Sequence, residues 1–218
     1  MYHLIKKDIL IQKRSIALSL LLICFFSVSL SSLGEVGLMV GILAITYQLL
    51  LGASALEDKN NSDKVLISLP IKLSTIVLSK YVSIYVYAAF AAIGFYLIHV
   101  LVKLFHIPLD VPFSYIILIG GAIMVTICFS ISLPMIFKFG YLKAKMANFI
   151  LLFVIVFGTT GIMKYFAKLD NQFIQETMIR LSTLSKAELG LILIIPLLLL
   201  LLLVSYFISL SFYSKREF

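Results

Sequence analysis

EDKNNSDKVLISLPIKLSTIVLSKY, residues 57–81, lies between two long apolar stretches, VGLMVGILAITYQLLLGASAL (36–56) and SKYVSIYVYAAFAAIGFYLIHVLV (79–102). Each flank reaches the roughly 20 helical residues needed to cross a hydrocarbon core about 30 Å thick. The segment between them holds three of the ten acids and four of the eighteen basic residues. That contrast decides the fold class: membrane helix, polar loop, membrane helix. Barrel strands are short and alternate apolar with polar, whereas these runs are apolar on every face.

The rest of the chain repeats the pattern. Of 218 residues, 62% are hydrophobic and 13% charged, with mean hydropathy +1.13. Too few polar groups remain to cover a water-soluble surface. Six spans are expected, near Ser15–Leu33, Val36–Leu56, Ser79–Val102, Phe113–Phe137, Met146–Met163 and Ala187–Tyr213. The expected architecture is therefore all-α, a polytopic membrane protein forming a single transmembrane domain over residues 1–218. Three segments complete it: an N-terminal interfacial helix (1–14), a polar loop (57–78) and an amphipathic interfacial or re-entrant segment (164–186).

In the first of these, Leu4, Ile5, Ile9 and Ile11 would enter the interface. Lys6, Lys7, Asp8, Gln12, Lys13 and Arg14 would face the lipid headgroups. In the last, Phe166, Leu169, Phe173, Ile174, Met178 and Leu181 recur at helical spacing. The first two spans are separated only by Gly34–Glu35, which predicts a tight helical hairpin. Gly37 and Gly41 open the second span in GxxxG spacing, suited to close approach of another helix, in this bundle or in a partner. Pro134 and Pro196 fall inside spans, where each can kink a helix.

Basic residues set the expected orientation. With six spans both termini share one side, and thirteen of the eighteen Lys and Arg fall on that side, against five on the other. By the positive-inside rule the termini and the 57–80 loop are expected in the cytoplasm. The net charge of +8 thus reads as topology, with no nucleic-acid partner implied. Cys24 and Cys128 lie in apolar segments and are expected to behave as small buried hydrophobes.

Reactive chemistry is sparse. No Asp, Glu, Lys or Arg falls near the centre of an expected span, and His99 and His106 sit at or beyond a span end. The chain has no HExxH or GxSxG motif, which argues against intramembrane hydrolysis. Proton-coupled transport loses ground for lack of intramembrane ionisable groups. No GxxxxGK[ST] phosphate loop occurs, so ATP hydrolysis, if used, belongs to another polypeptide. No catalytic residue, bound cofactor or metal site is expected in this chain.

Within the loop, Ser62 is placed to cap a short helix from Asp63 to Leu69, stopped at Pro70. Val65, Leu66 and Leu69 would share its apolar face. An acid after the second span, then the LISLPIKLSTIVLSKY block, resembles the cytoplasmic loop of ABC-2 type permease subunits. The residues that carry the likeness are Glu57, Leu66, Ser68, Leu69, Pro70, Ile76, Val77, Leu78, Ser79, Lys80 and Tyr81. Many members have an arginine or second serine after the proline, where this chain has Ile71-Lys72-Leu73. The whole-chain layout is also similar. The nearest likeness is to exporters of amphipathic or antimicrobial peptides in Gram-positive bacteria, phenol-soluble modulin exporters among them.

What the resemblance implies is an exporter permease in a bacterial plasma membrane. The loop helix would be a coupling helix docked on a separate ATPase subunit, where ATP and magnesium would bind. Val65, Leu66 and Leu69 would form its anchor, with Pro70 ending it and Asp58, Asp63 and Lys64 pairing at the rim. A second permease subunit, identical or not, would complete the transporter, and the cargo would be amphipathic, a peptide by preference. The competing reading is a non-transporting immunity or assembly factor that binds a partner through the same 57–80 loop.

Overall fold

The computed structural model describes residues 2–60, 62, 71–106, 111–168 and 186–215. Every element bounded among them is helical: α1 (Tyr2–Ile11), α2 (Lys13–Ser29), a 3-10 turn (Ser31–Leu33), α3 (Gly34–Lys59), α4 (Leu73–Leu104), α5 (Tyr115–Lys168) and α6 (Lys186–Ser214). Among the described residues four stretches are long and apolar enough to cross a membrane, Ser31–Lys59, Leu73–Leu104, Tyr115–Tyr141 and Ile195–Ser214. The bent pair His3–Ile11 and Lys13–Ser29, 70° apart, makes a fifth if it counts as one span.

Helix α3 is the axis of the bundle. It packs against α2, α4 and α5, and Leu43, Ile45 and Leu49 on it are fully buried. Lipid tails are as apolar as leucine, so close packing must hold these helices together in place of a hydrophobic drive. Gly41 supplies one such approach: a Cβ there would stand 2.7 Å from Cζ of Phe95 on α4. The Gly37 site is likewise filled from within, by Leu30 at the end of α2. Both glycines of the GxxxG pattern are therefore used inside the bundle.

Hydroxyl groups within the bundle mostly return to their own helix. Ser27 donates to Ile23 O, Thr46 to Ile42 O and Ser83 to Ser79 O, at 2.7–2.9 Å. A polar side chain satisfied this way makes little demand on its neighbours. A different pattern joins α4, α5 and α6. Ser205 Oγ donates to Ser130 O at 2.7 Å, so its oxygen must accept the proton of Tyr81 OH, 2.6 Å away. Ser209 Oγ then donates to Tyr81 OH at 2.9 Å. One tyrosine thereby fixes three helices in register.

Three expectations need correction. The expected loop between the fourth and fifth spans, with Lys138, Lys143 and Lys145, is helical, and α5 is broken only at Gly140 (φ 74°). A left-handed φ costs glycine nothing, so one residue can interrupt the helix without a loop. Helix α4 begins at Leu73 where a span from Ser79 is expected, because nothing after Pro70 opposes helix. Cys128 is buried as expected, but Cys24 is exposed on the outside of α2. The amphipathic pattern at 164–186 is described only as far as Lys168, within α5, and again from Lys186; residues 169–185 lie outside the described residues.

Candidate functional site

The α2–α3 hairpin and α4 place the two stems of the 57–80 loop side by side. Glu57 stands in the last turn of α3, and Lys80 seven residues into α4. Helix α4 has 32 residues, longer than a hydrocarbon core requires. Lys80 therefore lies toward one membrane boundary, away from the centre. Its ammonium meets Glu57 Oε2 at 2.6 Å and Asp8 Oδ2 at 3.1 Å. Lys7 meets the opposite oxygens, Glu57 Oε1 at 2.8 Å and Asp8 Oδ1 at 3.3 Å. The four side chains form a closed ring in which charges alternate and sum to zero.

This ring is enclosed. Side-chain exposure is 3% at Asp8, 9% at Glu57 and 11% at Lys80, and only Lys7, at 28%, opens toward the surface. Burying one such charge alone would cost several kcal/mol, so the arrangement survives only because each carboxylate has two cations and each lysine two carboxylates. Glu57 has the shorter contacts. Burial pushes the Asp8 carboxyl above its ordinary pKa, against the opposing pull of Lys80. Asp8 is thus the weaker acid partner of the ring.

Helix α1 delivers Lys7 and Asp8, and some of its polar residues, expected at the headgroups, turn into the protein instead. Asp8 and Gln12 face inward and are buried, while Leu10 and Ile11 are exposed. Lys80 and Lys7 meet the Asp8 carboxylate at 3.1 and 3.3 Å and offset part of the cost of burying it. Of the four cations expected at the interface, Lys6, Lys13 and Arg14 are exposed, and Lys7 turns into the ring.

Beside the ring is a crevice of about 40 Å³ where the end of α3, the start of α4, the middle of α5 at its Gly140 break and the end of α6 converge. Ser54, Glu57, Asp58, Lys80, Tyr141 and Tyr213 line it. Asp58, expected at a docking rim, stands here, half-buried. Asp63, Lys64, Val65, Leu66, Leu69 and Pro70 lie outside the described residues. The residues that carried the family likeness at the loop's far stem have structural tasks: Ile76 and Val77 enter the core, Ser79 donates to Ile76 O, and Tyr81 holds α6. Sequence reasoning treated Glu57 and Lys80 as motif letters and did not pair them. The available signal was an acid and a lysine at the facing ends of consecutive apolar helices.

Among the described residues no group of three or more His, Cys, Asp or Glu is placed to hold a metal ion. The four charges of the ring contact one another across three helices. Its chemistry is mechanical: it binds α1, the end of α3 and the start of α4 into one body. No curated protein and no solved structure matches the chain. Residues 3–214 match a family model described as ABC-2 family transporter protein. The match spans nearly the whole chain, which therefore belongs to the ABC-2 transporter family as a multi-pass, non-catalytic permease component whose ATPase is a separate subunit.

Proposed function

We propose that this permease exports an amphipathic substrate, a peptide by preference, and that the 57–80 loop is where ATP hydrolysis reaches it. The observation that carries the reading is the ring itself. A force applied to the loop arrives at Glu57 and Lys80, which are tied to each other at 2.6 Å and to α1 through Asp8 and Lys7. A loop with splayed, independent stems would dissipate such a force in local bending. Stems joined by a buried, neutral ring move together.

In this reading residues 63–69 form a coupling helix stopped at Pro70 and seated on the ATPase. Val65, Leu66 and Leu69 anchor it, with Asp58, Asp63 and Lys64 at the rim. The count of basic residues supports a cytoplasmic loop and cytoplasmic termini. The Gly140 break supports a sixth span, with the arm of α5 after it crossing the membrane separately. Two such six-span subunits in a bacterial plasma membrane, of the Gram-positive kind, would enclose the path. The apolar span interiors suit amphipathic cargo better than a small hydrophilic solute.

Co-purification with the ATPase subunit tests the docking directly. Wild-type chain retains the ATPase through detergent washing, and Leu66→Asp or Leu69→Asp releases it. Retention by both variants would remove the docking role of the 57–80 loop. Cargo transport by the co-purified complex in liposomes separates an exporter from an immunity or assembly factor, which would bind a partner and move nothing.

A further inference from the structure

The opposite end of α4 carries a second polar site. Lys103 lies 23 residues beyond Lys80 on the same helix, a rise of about 35 Å. That exceeds a hydrocarbon core of about 30 Å, so Lys103 stands at the far membrane boundary. A cavity of about 440 Å³ opens there, lined by Tyr96, His99, Val100, Lys103 and Leu104. These residues recur at three- and four-residue steps and form one stripe of the helix.

The polar groups of this stripe suit an anionic headgroup that also carries a hydroxyl. His99 Nδ1 lies 2.6 Å from Val111 O. A carbonyl can only accept, so Nδ1 carries the proton and Nε2 is left to accept from a ligand's hydroxyl. Phe113 packs against both Tyr96 and His99, at 5.2 and 6.0 Å between ring centres, and fixes that wall. Lys103 is exposed, and no acid pairs with it among the described residues. Among the described residues no carboxylate lines the cavity. Glu35, which meets the neighbouring segment, already accepts the Ser114 hydroxyl at 2.8 Å.

The apolar members set the source of the anion. Tyr96 is 49% and Leu104 67% exposed, and the stripe continues toward mid-membrane through exposed Ile93 and Leu97. A free phosphate would gain nothing from them, whereas an acyl chain would lie along them. Lys103 favours a net anionic headgroup, and the lone pair of His99 Nε2 favours one with a hydroxyl to donate, which choline lacks. We infer that this cavity binds an anionic phospholipid, with Lys103 on its phosphate, His99 Nε2 accepting from a headgroup hydroxyl such as that of phosphatidylglycerol, and Tyr96, Val100 and Leu104 against its glycerol backbone and upper chain. Lys103 also suits the helix C-terminus electrostatically, but that role alone would alter melting and leave lipid selectivity unchanged.

Native mass spectrometry of the full chain in detergent tests the site, with phosphatidylglycerol, phosphatidylcholine and inorganic phosphate as probes. The first phosphatidylglycerol should bind well ahead of phosphatidylcholine. Lys103→Gln should weaken it about fivefold, the contribution of one cation near an anionic headgroup, with Lys138→Gln as an unaffected control. Val100→Trp, which fills the cavity and keeps both polar groups, should also weaken binding. Inorganic phosphate in excess should not compete. Unchanged phosphatidylglycerol binding in Lys103→Gln and Val100→Trp, or equal binding of phosphatidylcholine, would overturn the assignment. Effective competition by inorganic phosphate would overturn the lipid as its occupant.

Discussion

Glu57 and Asp8 sit in the same ring but are not equivalent. Glu57 contacts its two lysines at 2.8 and 2.6 Å, and Asp8 contacts the same pair at 3.3 and 3.1 Å. Removing one partner of a buried charge set costs about 3–5 kcal/mol, because the opposite charge stays behind unpaired. Glu57→Gln is expected to approach that range. Asp8→Asn should cost clearly less, since burial already works against its carboxylate. Thermal unfolding of the purified variants checks the order, and an Asp8→Asn protein less stable than Glu57→Gln would refute it. The ring was hard to read in the sequence for a physical reason. Asp8 and Lys80 are 72 positions apart, and hydropathy treats each as an isolated cost with no partner in view.

At the scale of elements, the apolar runs announced themselves and their boundaries did not. Helices α3 and α4 fall where the runs fall, because twenty or so apolar residues can satisfy their backbone in a membrane only as helix or closed barrel. The break in α5 was not legible. Lys138, Lys143 and Lys145 look like a loop to a charge count, yet lysine is a good helix former and only Gly140 leaves helical geometry. The GxxxG pattern was legible as close packing, while its partner was not, since spacing says nothing about which helix arrives. Phe95 is that partner for Gly41. Gly41→Val is therefore expected to destabilise the bundle by about 1–3 kcal/mol, the usual cost of overpacking. Phe95→Leu in the same chain should recover part of the loss. Equal destabilisation with and without the Phe95 change, in the same unfolding assay, would place the contact elsewhere.

For the whole molecule, the ring and the outer cavity mark the two membrane boundaries of one helix. Between them, α4 is tied to α6 and α5 through Tyr81 and to α3 through the Gly41–Phe95 approach. Movement of the loop stems must therefore carry the neighbouring helices along. The family and the loop's place between spans were readable from residues 57–81; the way the loop is fastened required Lys7 and Asp8, which composition assigned to the headgroups. The central claim is that this fastening couples ATP use to transport. Cargo-stimulated ATP hydrolysis in liposomes containing the chain and its ATPase measures it directly, comparing wild type with Glu57→Gln. The account predicts that the variant still binds the ATPase and retains basal hydrolysis while stimulation by cargo falls at least about tenfold, the effect of roughly 1.4 kcal/mol of lost coupling. Full stimulation in a folded Glu57→Gln complex would contradict it.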